Sequence, residues 1–493
     1  MDRRIRVLAV FFLLCFGVLF VQLNNLQVRQ ATALRRSPYE PTTAVSSWLL
    51  PRGDIISANG KVLAYSTKNP DGPGYLRRYP EGPLFAAVTG YDDWVQQALQ
   101  YGVEAEYNGY LVQHQSAAHG LSGLLTETTG TDTVEVTIST KLQAVAAAAL
   151  APYATGAVVA IDPTTGAILA MYSKPSYDPN KLSSANGTAI DKYYASLDPS
   201  SGSSPLVNRA TDLLTAPGST FKIVTTSAIF DHDPALALET VPVLTALALP
   251  QSNQLLHNYA NESCGGGLAS NLAVSCDTAY GHYGLQLGGQ NLAEEASAFG
   301  FNKRPPIDLP PAEVAASNFP PAGSFAQNQP GLAYSAIGQE NVTETVLQDA
   351  LNTAAIADGG TMMTPHLMAH VLDGEGRVVA TYRPHPWRQA TSIATADKVR
   401  QLMRGVAEYG TAAGLFPATL DVAAKTGTAQ VGQLNCSSNW LVATGPAAAG
   451  QVPRVAVAAV VPFQAGLICD GTGAGIAGPV VAKVLDAALG YRS

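Results

Sequence analysis

The sequence contains few charged residues and no block of like charge. Lys, Arg, Asp and Glu make up 13% of the 493 residues, about half the usual share of a soluble protein, whereas apolar residues make up 47%. This balance excludes an intrinsically disordered chain, which needs low hydrophobicity and high charge. The 29 Lys and Arg against 37 Asp and Glu give a formal net charge of −8. Because no basic cluster is present, we expect no nucleic-acid partner.

Metal and repeat signatures are absent as well. The sequence has no CxxC and no HExxH pattern, and its 8 histidines are dispersed, so a zinc site or a haem attachment has little support. We therefore expect neither a metal nor a cofactor. The chain shows no self-similarity at a fixed period, which excludes solenoids and propellers. At roughly 150 residues per domain, its length indicates two to four folding units.

Long apolar runs are also absent, with one exception near the N-terminus. The run Val7–Leu23 carries no charge and a single polar residue, and its length reaches the lower limit for a membrane-spanning helix. Because three arginines precede it, the positive-inside rule predicts a cytoplasmic tail at residues 1–6, an anchor at residues 7–23 and an extracytoplasmic remainder. We predict a single-pass protein of the cell membrane. The alternative is a signal peptide cleaved near residues 31–33, although such peptides typically have a shorter apolar region.

The cysteines agree with an extracytoplasmic location. Cys15 lies in the predicted anchor, which leaves Cys264, Cys276, Cys436 and Cys469 in a compartment where disulfides can form. Four cysteines allow three pairings. Proximity in sequence favours Cys264 with Cys276 and Cys436 with Cys469.

The remaining chain divides near residue 150. Residues 24–150 are rich in turns and end in a helical pattern at residues 137–151, which is rich in alanine. From Gly156 onward, two β-rich runs flank a hairpin turn at residues 162–166. Further strand-like runs at residues 439–447 and 452–463 precede a helical run at 478–490. A sheet whose strands come from both ends of residues 151–493, with helices between them, is an α+β layout.

The first chemical motif is Ser219-Thr220-Phe221-Lys222. Pro217-Gly218 breaks the chain just before a helical run, so Ser219 should lie at a helix N-terminus. Positions i and i+3 share one face of a helix, and Lys222 should therefore reach the Ser219 hydroxyl. A desolvated lysine there could accept the hydroxyl proton and activate a nucleophile. Taken alone the pattern is weak, because a chain of this length contains about one by chance.

The second motif is Lys425-Thr426-Gly427, continued by Thr428. Small and polar residues that alternate in this way fit an edge strand, and Gly427 would give a substrate room to approach. A lysine with two hydroxyls makes a site for a carboxylate. Both motifs occur once, with the serine motif about 200 residues before the lysine motif. The pair is therefore far more specific than either motif alone.

Together these motifs resemble the signature SxxK, SxN and KTG of the penicillin-binding proteins and serine β-lactamases. The resemblance extends further. Residues 52–64 resemble the RGxI segment that opens the extracytoplasmic part of class B members, residues 156–180 resemble the start of their transpeptidase domain, and Ile337–Gln339 resembles their IGQ segment. The resemblance implies a central antiparallel sheet flanked by helices. One transmembrane helix and a small irregular N-terminal pedestal or dimerisation-like domain would precede it.

The middle motif departs from the family pattern. No literal SxN lies between the other two motifs, and the candidate by position is Ser275-Cys276-Asp277. An ionised Asp accepts hydrogen bonds only, so Asp277 would keep the contact to lysine that the family asparagine makes but lose its donor to substrate. It would also favour protonated Lys222, which is the wrong direction for a general base. The rival is Ser437–Asn439.

The resemblance implies a role for each catalytic residue. Ser219 would attack the carbonyl between two D-alanines of a peptidoglycan stem peptide and form an acyl-enzyme. Lys222 would be the general base. Ser275 would relay the proton from the lysines to the departing amine. Lys425, the second lysine, would complete the catalytic set. The same serine would be acylated by β-lactams, which mimic the D-alanyl-D-alanine end.

The resemblance also implies the substrate contacts. Lys425, Thr426 and Thr428 would hold the terminal carboxylate, beside Asp277 and Gly427. Backbone N–H groups of the nucleophile and of Thr428 would form the oxyanion hole. The edge strand would pair with the peptide as an added strand. Trp440 is most simply a core residue.

We therefore expect a membrane-anchored D,D-transpeptidase that crosslinks stem peptides, binds β-lactams and works beside a polytopic glycan polymerase. Two alternatives remain. One is a hydrolase, either a D,D-carboxypeptidase or a β-lactamase, because acceptor choice depends on water in the pocket. The other is a non-catalytic β-lactam-binding scaffold, for which Asp277 is the only supporting feature.

Overall fold

The computed structural model of the chain describes residues 2–24, 49–92, 101–112, 114–115, 129–417, 419–430, 436–448, 450–463 and 471–491. Its helices are α1 (Asp2–Asn24), α2 (Ala86–Thr89), α3 (Gly102–Glu106), α4 (Asn108–Leu111), α5 (Thr140–Leu150), α6 (Pro179–Leu182), α7 (Gly187–Ser196), α8 (Lys222–His232), α9 (Leu268–Ala273), α10 (Asp277–Ala298), α11 (Gln329–Ala336), α12 (Val346–Ala357), α13 (Ile393–Glu408), α14 (Gly473–Ile476) and α15 (Gly478–Tyr491).

The strands form two larger sheets and several short pairs. They are β1 (Ile55–Ile56), β2 (Val62–Lys68), β3 (Tyr75–Arg78), β4 (His114–Gln115), β5 (Thr129–Gly130), β6 (Thr133–Val136), β7 (Gly156–Ile161), β8 (Ile168–Lys174), β9 (Val241–Leu244), β10 (Ala246–Ala248), β11 (Leu255–His257), β12 (Cys264–Gly266), β13 (Thr361–Met363), β14 (Met368–Leu372), β15 (Val378–Thr381), β16 (Pro386–Gln389), β17 (Ala423–Gln430), β18 (Ser437–Gly445) and β19 (Val455–Val461).

The central sheet has five antiparallel strands in the order β17-β18-β19-β7-β8. Its strands come from both ends of the 151–493 region, so the predicted α+β layout is confirmed. Every residue of β19 is buried, because helices cover both faces of the sheet. Helix α12 packs on β7, β18 and β19, and all of its residues are buried. An uninterrupted apolar strand such as β19 is expected where both faces of a sheet are covered.

The first predicted hairpin is present. Strands β7 and β8 pair in an antiparallel manner, with Ala160 opposite Ala170, around the turn at residues 162–166. Gly166 has φ +78°, and a Cβ there would lie 2.2 Å from the carbonyl oxygen of Thr364, so the turn requires glycine. The predicted helix at residues 137–151 is observed as Thr140–Leu150, with Ser139 as its N-cap. It starts later than predicted because the N–H groups of Thr137 and Ser139 donate to the carbonyl oxygens of Leu367 and Leu169.

The second sheet joins strands from both sides of residue 150, where the sequence predicts the division of the chain. Its order is β15-β14-β6-β1-β2-β3, so a hairpin from residues 368–381 joins strands from the N-terminal region. Val371 of β14 lies opposite Val134 of β6. This sheet is therefore not built from residues 24–150 alone, and the pedestal domain at residues 24–150 stays a prediction. Strand pairing between residues more than two hundred positions apart leaves no mark in local composition.

A buried carboxylate joins this hairpin to the N-terminal helices. Asp308 accepts hydrogen bonds from the backbone N–H groups of Leu367 at 2.6 Å and Met368 at 2.8 Å, and from the Tyr107 hydroxyl at 2.6 Å. Nearby, Glu313 accepts from the N–H of Gly102 at 2.8 Å. The N-terminal region is thus fastened to the 308–313 segment at two points.

An ion cluster holds the segment that begins at Arg52. The Glu104 carboxylate is fully buried and accepts from Arg52 at 2.8 Å and from Arg77 at 2.6 Å. Burial alone would raise the pKa of Glu104, but the two guanidinium groups lower it below its usual range. Arg52 also pairs with Asp92 at 3.6 Å, so two carboxylates balance the two arginines, and Glu104 is the one that joins both.

Helix α1 covers the apolar run near the N-terminus. Among the helices of the described residues, none combines the length and the mean hydropathy that a membrane span requires. The anchor at residues 7–23 stays a prediction.

Substitution Glu104→Ala should lower the free energy of unfolding by about 3–5 kcal/mol, because it removes the carboxylate partner of the buried Arg77 guanidinium and leaves Arg52 with Asp92 alone, at 3.6 Å. Chemical denaturation of the full chain measures this loss. The control is Glu375→Ala, which breaks an exposed pair with Arg377 and should cost less than about 1 kcal/mol. Equal losses in the two variants would contradict the assignment of Glu104.

Candidate active site

The Ser219 motif forms a tight turn that continues into a helix. Residues Gly218–Phe221 form a 3₁₀ turn, and α8 begins at Lys222, so Ser219 lies at a helix N-terminus as the Pro-Gly break predicts. Gly218 has φ +58°, and its N–H donates to the carbonyl oxygen of Gly338 at 2.9 Å. The IGQ-like segment therefore fixes the backbone immediately before the nucleophile.

Strand β17 carries Lys425, Thr426, Gly427 and Thr428 at the edge of the central sheet. A Cβ on Gly427 would lie 2.6 Å from the carbonyl oxygen of Pro217 and 2.9 Å from the Cβ of Trp440. The space that glycine leaves is thus filled by the nucleophile turn and by the neighbouring strand. This close approach, which the sequence analysis had attributed to substrate alone, brings the two motifs together.

Trp440 has more than a core role. Its side chain is fully buried on β18, as predicted, but its indole Nε1–H donates to the carbonyl oxygen of Ala216 at 2.9 Å. Trp440 therefore also holds the chain that leads into the Ser219 turn.

The middle motif lies between the two lysines. The Ser275 hydroxyl oxygen is 2.8 Å from Lys425 Nζ and 3.3 Å from Lys222 Nζ. Lys222 Nζ also donates to the carbonyl oxygen of Ser275 at 2.7 Å and to Asp277 Oδ1 at 2.6 Å. The structure thus brings Ser219, Lys222, Ser275, Asp277 and Lys425 into one cluster.

Of the two contacts expected for Lys222, the one to Asp277 is present among the described residues and the one to Ser219 is not. In the described part of the chain, the hydrogen bonds of Lys222 Nζ go to Ser275 and Asp277 and not to Ser219. An ammonium group has three donors, and these contacts use all of them. A carboxylate attracts an ammonium group more strongly than a neutral hydroxyl does, which explains the difference from the sequence prediction.

Burial and charge shift both lysines toward the neutral form. Burial lowers the pKa of Lys222, and the charge and hydrogen bond of Asp277 oppose that shift. The pKa of Lys425 lies well below its usual range because of burial and the neighbouring Lys222, while Asp277 again opposes. Two lysines without solvent exposure share one carboxylate, so the site favours the loss of a proton. A neutral amine is what a general base requires.

These residues open into a cleft of about 1070 Å³. Ser219, Ser275, Thr426 and Thr428 line it, and Thr426 Oγ1 lies 2.7 Å from Thr411 Oγ1. The Thr428 hydroxyl accepts from the N–H of Gly473 at 3.0 Å, and Gly473 also lines the cleft.

Three parts of the wall carry no motif in the sequence. These are Thr411, the segment 255–262 and the start of α14. A pairing of Cys264 with Cys276 was the one signal for the second of these, because Cys276 lies inside the middle motif.

The cysteines agree with the favoured pairing where the structure describes them. Cys264 and Cys276 form a disulfide with a Cα–Cα distance of 5.7 Å. Cys436 is also disulfide-bonded. Its predicted partner, Cys469, lies outside the described residues. The disulfide places strand β12 beside the Ser275 turn.

The rival SxN motif has a different environment. Ser437 Oγ donates to the carbonyl oxygen of Gly471 at 3.0 Å, and Asn439 Nδ2 donates to the carbonyl oxygen of Ser437 at 3.2 Å. Within the described ranges neither side chain contacts a lysine. Ser275 therefore occupies the position that the rival would need.

Two family models match the chain. They are the penicillin binding protein transpeptidase domain, over residues 156–486, and the penicillin binding protein A dimerisation domain, over residues 52–136. The chain is 32% identical to the peptidoglycan D,D-transpeptidase PbpA of Mycobacterium tuberculosis and 33% identical to that of Mycolicibacterium smegmatis, with 99% of each chain covered in both cases. It resembles the structure of penicillin-binding protein A from M. tuberculosis in its ceftriaxone acyl-enzyme complex, with a TM-score of 0.80 and 30% identity over 90% of this chain and 100% of that chain.

In the pH–rate profile for acylation by a fluorescent penicillin, the rate falls on the acid side; substitution Asp277→Asn should shift this acid limb to lower pH. Asp277 raises the pKa of Lys222, so its removal lets Lys222 lose its proton at lower pH. The expected displacement is roughly one to three pH units. Rates measured across the acid and neutral range test it.

The matched control is Asp198→Asn, which removes the same charge from an exposed turn with φ +48°, a conformation that asparagine tolerates. An acid limb at the same pH in wild type and Asp277→Asn would show that this carboxylate does not govern the base.

Proposed function

The chain belongs to the penicillin-binding protein transpeptidases, and from that membership we propose that it is a peptidoglycan D,D-transpeptidase acting through Ser219. The observation that carries the proposal is the Ser275 hydroxyl held between two buried lysines in the cleft that Ser219 lines. That arrangement supplies a nucleophile, a base and a proton relay. The same chemistry makes the serine a target for β-lactams.

In the first half-reaction, Ser219 Oγ attacks the carbonyl carbon between the two terminal D-alanines. The hydroxyl proton passes to neutral Lys222, and backbone N–H groups of Ser219 and Thr428 receive the developing oxyanion. The tetrahedral intermediate collapses, and the C–N bond breaks. The Ser275 hydroxyl hands a proton from the lysines to the departing nitrogen, so D-alanine leaves and an ester remains on Ser219.

Substrate orientation rests on the edge strand. Lys425, Thr426 and Thr428 hold the terminal carboxylate of the donor peptide, and β17 offers an unpaired edge for an added strand in the described sheet. Fixed geometry of this kind lowers the entropy cost of the reaction.

In the second half-reaction, the amine of another stem peptide attacks the ester. Lys222 takes a proton from the amine, the Ser219 oxygen recovers its hydroxyl proton, and an amide crosslink forms. Asp277 keeps its contact to Lys222 through both steps but, unlike asparagine, donates no hydrogen bond to the substrate.

Labelling of the wild type by a fluorescent penicillin should be abolished in Ser219→Ala, because the ester bond requires that oxygen. Ser200→Ala, which alters an exposed serine in the turn at residues 198–201, is the control and should be labelled normally. Stem-peptide analogues with an acceptor amine should then give a crosslinked product. Release of D-alanine without crosslinking would indicate a carboxypeptidase. Absence of a serine-dependent label would defeat the enzymatic proposal altogether.

We also propose that α1 anchors the chain in the cell membrane, with the N-terminus in the cytoplasm. Large apolar side chains along it are exposed, among them Phe11 at 58%, Leu13 at 72% and Phe20 at 70%. Because the two matched domains are a dimerisation and a transpeptidase domain, we propose that a separate polytopic polymerase makes the glycan strands.

The full chain should sediment with membranes at its uncleaved mass, whereas a variant without residues 2–24 should be released. This outcome is expected because the bilayer shields the apolar side chains of α1 from water, and the shortened variant lacks that apolar area. Equal distribution of both chains, or a mass that shows cleavage after this helix, would contradict the anchor.

A further inference from the structure

The backbone of Ser275 is in the left-handed region, with φ +61°. A residue with a side chain keeps this conformation only where its surroundings hold it there. Helix α9 supplies two of the contacts. The N–H of Ser275 donates to the carbonyl oxygen of Leu272 at 3.1 Å, and that of Cys276 donates to Asn271 at 2.8 Å. The turn must also be held on its other side, where α10 begins.

Helix α10 starts without a cap of its own. Its N-cap residue is Cys276, which makes no side-chain capping hydrogen bond and whose sulfur is bonded to Cys264. The first N–H groups of any helix lack partners within the helix. Asp277 lies in this first turn, so a loose helix start would displace the carboxylate that holds Lys222.

Asn258 supplies the missing cap from another strand pair. Its Oδ1 accepts from the N–H of Thr278 at 2.9 Å. Its Nδ2 donates to the carbonyl oxygens of Leu244 at 2.7 Å and Glu262 at 2.9 Å. Asn258 is only 7% exposed, and both ends of its amide are engaged. Asn258 therefore ties the start of α10 to the 255–262 wall of the cleft.

We propose that Asn258 is a positioning residue, which sets Ser275 and Asp277 against the two lysines by capping α10. The inference rests on the proposed function, because it concerns the proton relay of acylation. Ser275 Oγ stands 2.8 Å from Lys425 Nζ and 3.3 Å from Lys222 Nζ, so a shift of the turn lengthens both contacts. A displacement of about 1 Å can cost on the order of a hundredfold in rate.

The carboxylate-binding side of the cleft does not share this tie. Thr426 and Thr428 lie on β17, and their hydroxyls contact Thr411 and Gly473. Asn258 itself lines the cleft, but it lies apart from these hydroxyls, so its loss should slow the chemical step far more than it weakens binding. A residue that served folding alone would not affect the acylation rate constant and the binding constant differently.

The test compares Asn258→Ala with wild type and with Asn253→Ala, an exposed asparagine in the same β10–β11 hairpin. Saturation kinetics with a fluorescent penicillin on the full chain separate binding from acylation. In Asn258→Ala the acylation rate constant should fall at least about tenfold, while the binding constant changes by less than about threefold. Its acid limb should move to lower pH, because a displaced Asp277 no longer raises the pKa of Lys222. Asn253→Ala should match wild type.

A second variant covers a failure of Asn258→Ala to fold. Asn258→Asp keeps an acceptor for Thr278 but loses both donors and adds a carboxylate at the start of α10. Its acylation should slow, and its acid limb should move to higher pH, since a second negative charge favours protonated Lys222.

Provided that wild type is still labelled at Ser219, three results for the folded Asn258→Ala variant would each overturn the inference. They are an acylation rate within threefold of wild type, a change in binding alone, and an acid limb at the same pH as in wild type. If wild type is not labelled, the result contradicts the proposed function, and this inference, which rests on it, is contradicted as well.

Discussion

The site depends on two fully buried lysine side chains that share the Ser275 hydroxyl, and one of them, Lys222, also pairs with the Asp277 carboxylate. Burial penalises the charged forms of both lysines, and the charge of Lys222 lowers the pKa of Lys425 further. Asp277 offsets part of this penalty for Lys222 at 2.6 Å. The balance among these terms decides how readily an amine becomes neutral, and therefore how readily Ser219 is activated.

Close backbone approaches bring these groups together. Gly427 lets β17 pack against the nucleophile turn, and a Cβ on Gly473 would lie 2.3 Å from the carbonyl oxygen of Gly427 on its other side. Trp440 and the IGQ-like segment hold the chain before Ser219. The Cys264–Cys276 disulfide and Asn258 hold the Ser275 turn. The chemical residues are few, and most of the surrounding structure serves to place them.

Much of this could be predicted from local patterns. The β7–β8 hairpin has a Pro and Gly turn between apolar runs, and Ser219 follows a Pro-Gly break, so both signals lie within a few residues. Asp277 could be placed by its spacing from Ser219. Partners from distant segments could not be predicted. Strand β14 joins the N-terminal sheet across more than two hundred residues, and Thr411 and the 255–262 wall carry no motif.

The sequence by itself determined which groups are available for chemistry: one serine at a helix start, two lysines, and an aspartate where the family has asparagine. It also indicated an α+β fold and an oxidising compartment. Only the tertiary structure decided that the described hydrogen bonds of Lys222 Nζ leave out Ser219, and that Asn258 caps α10. Hydrogen bonds and pKa values depend on distance and burial in three dimensions, which spacing along a chain does not specify.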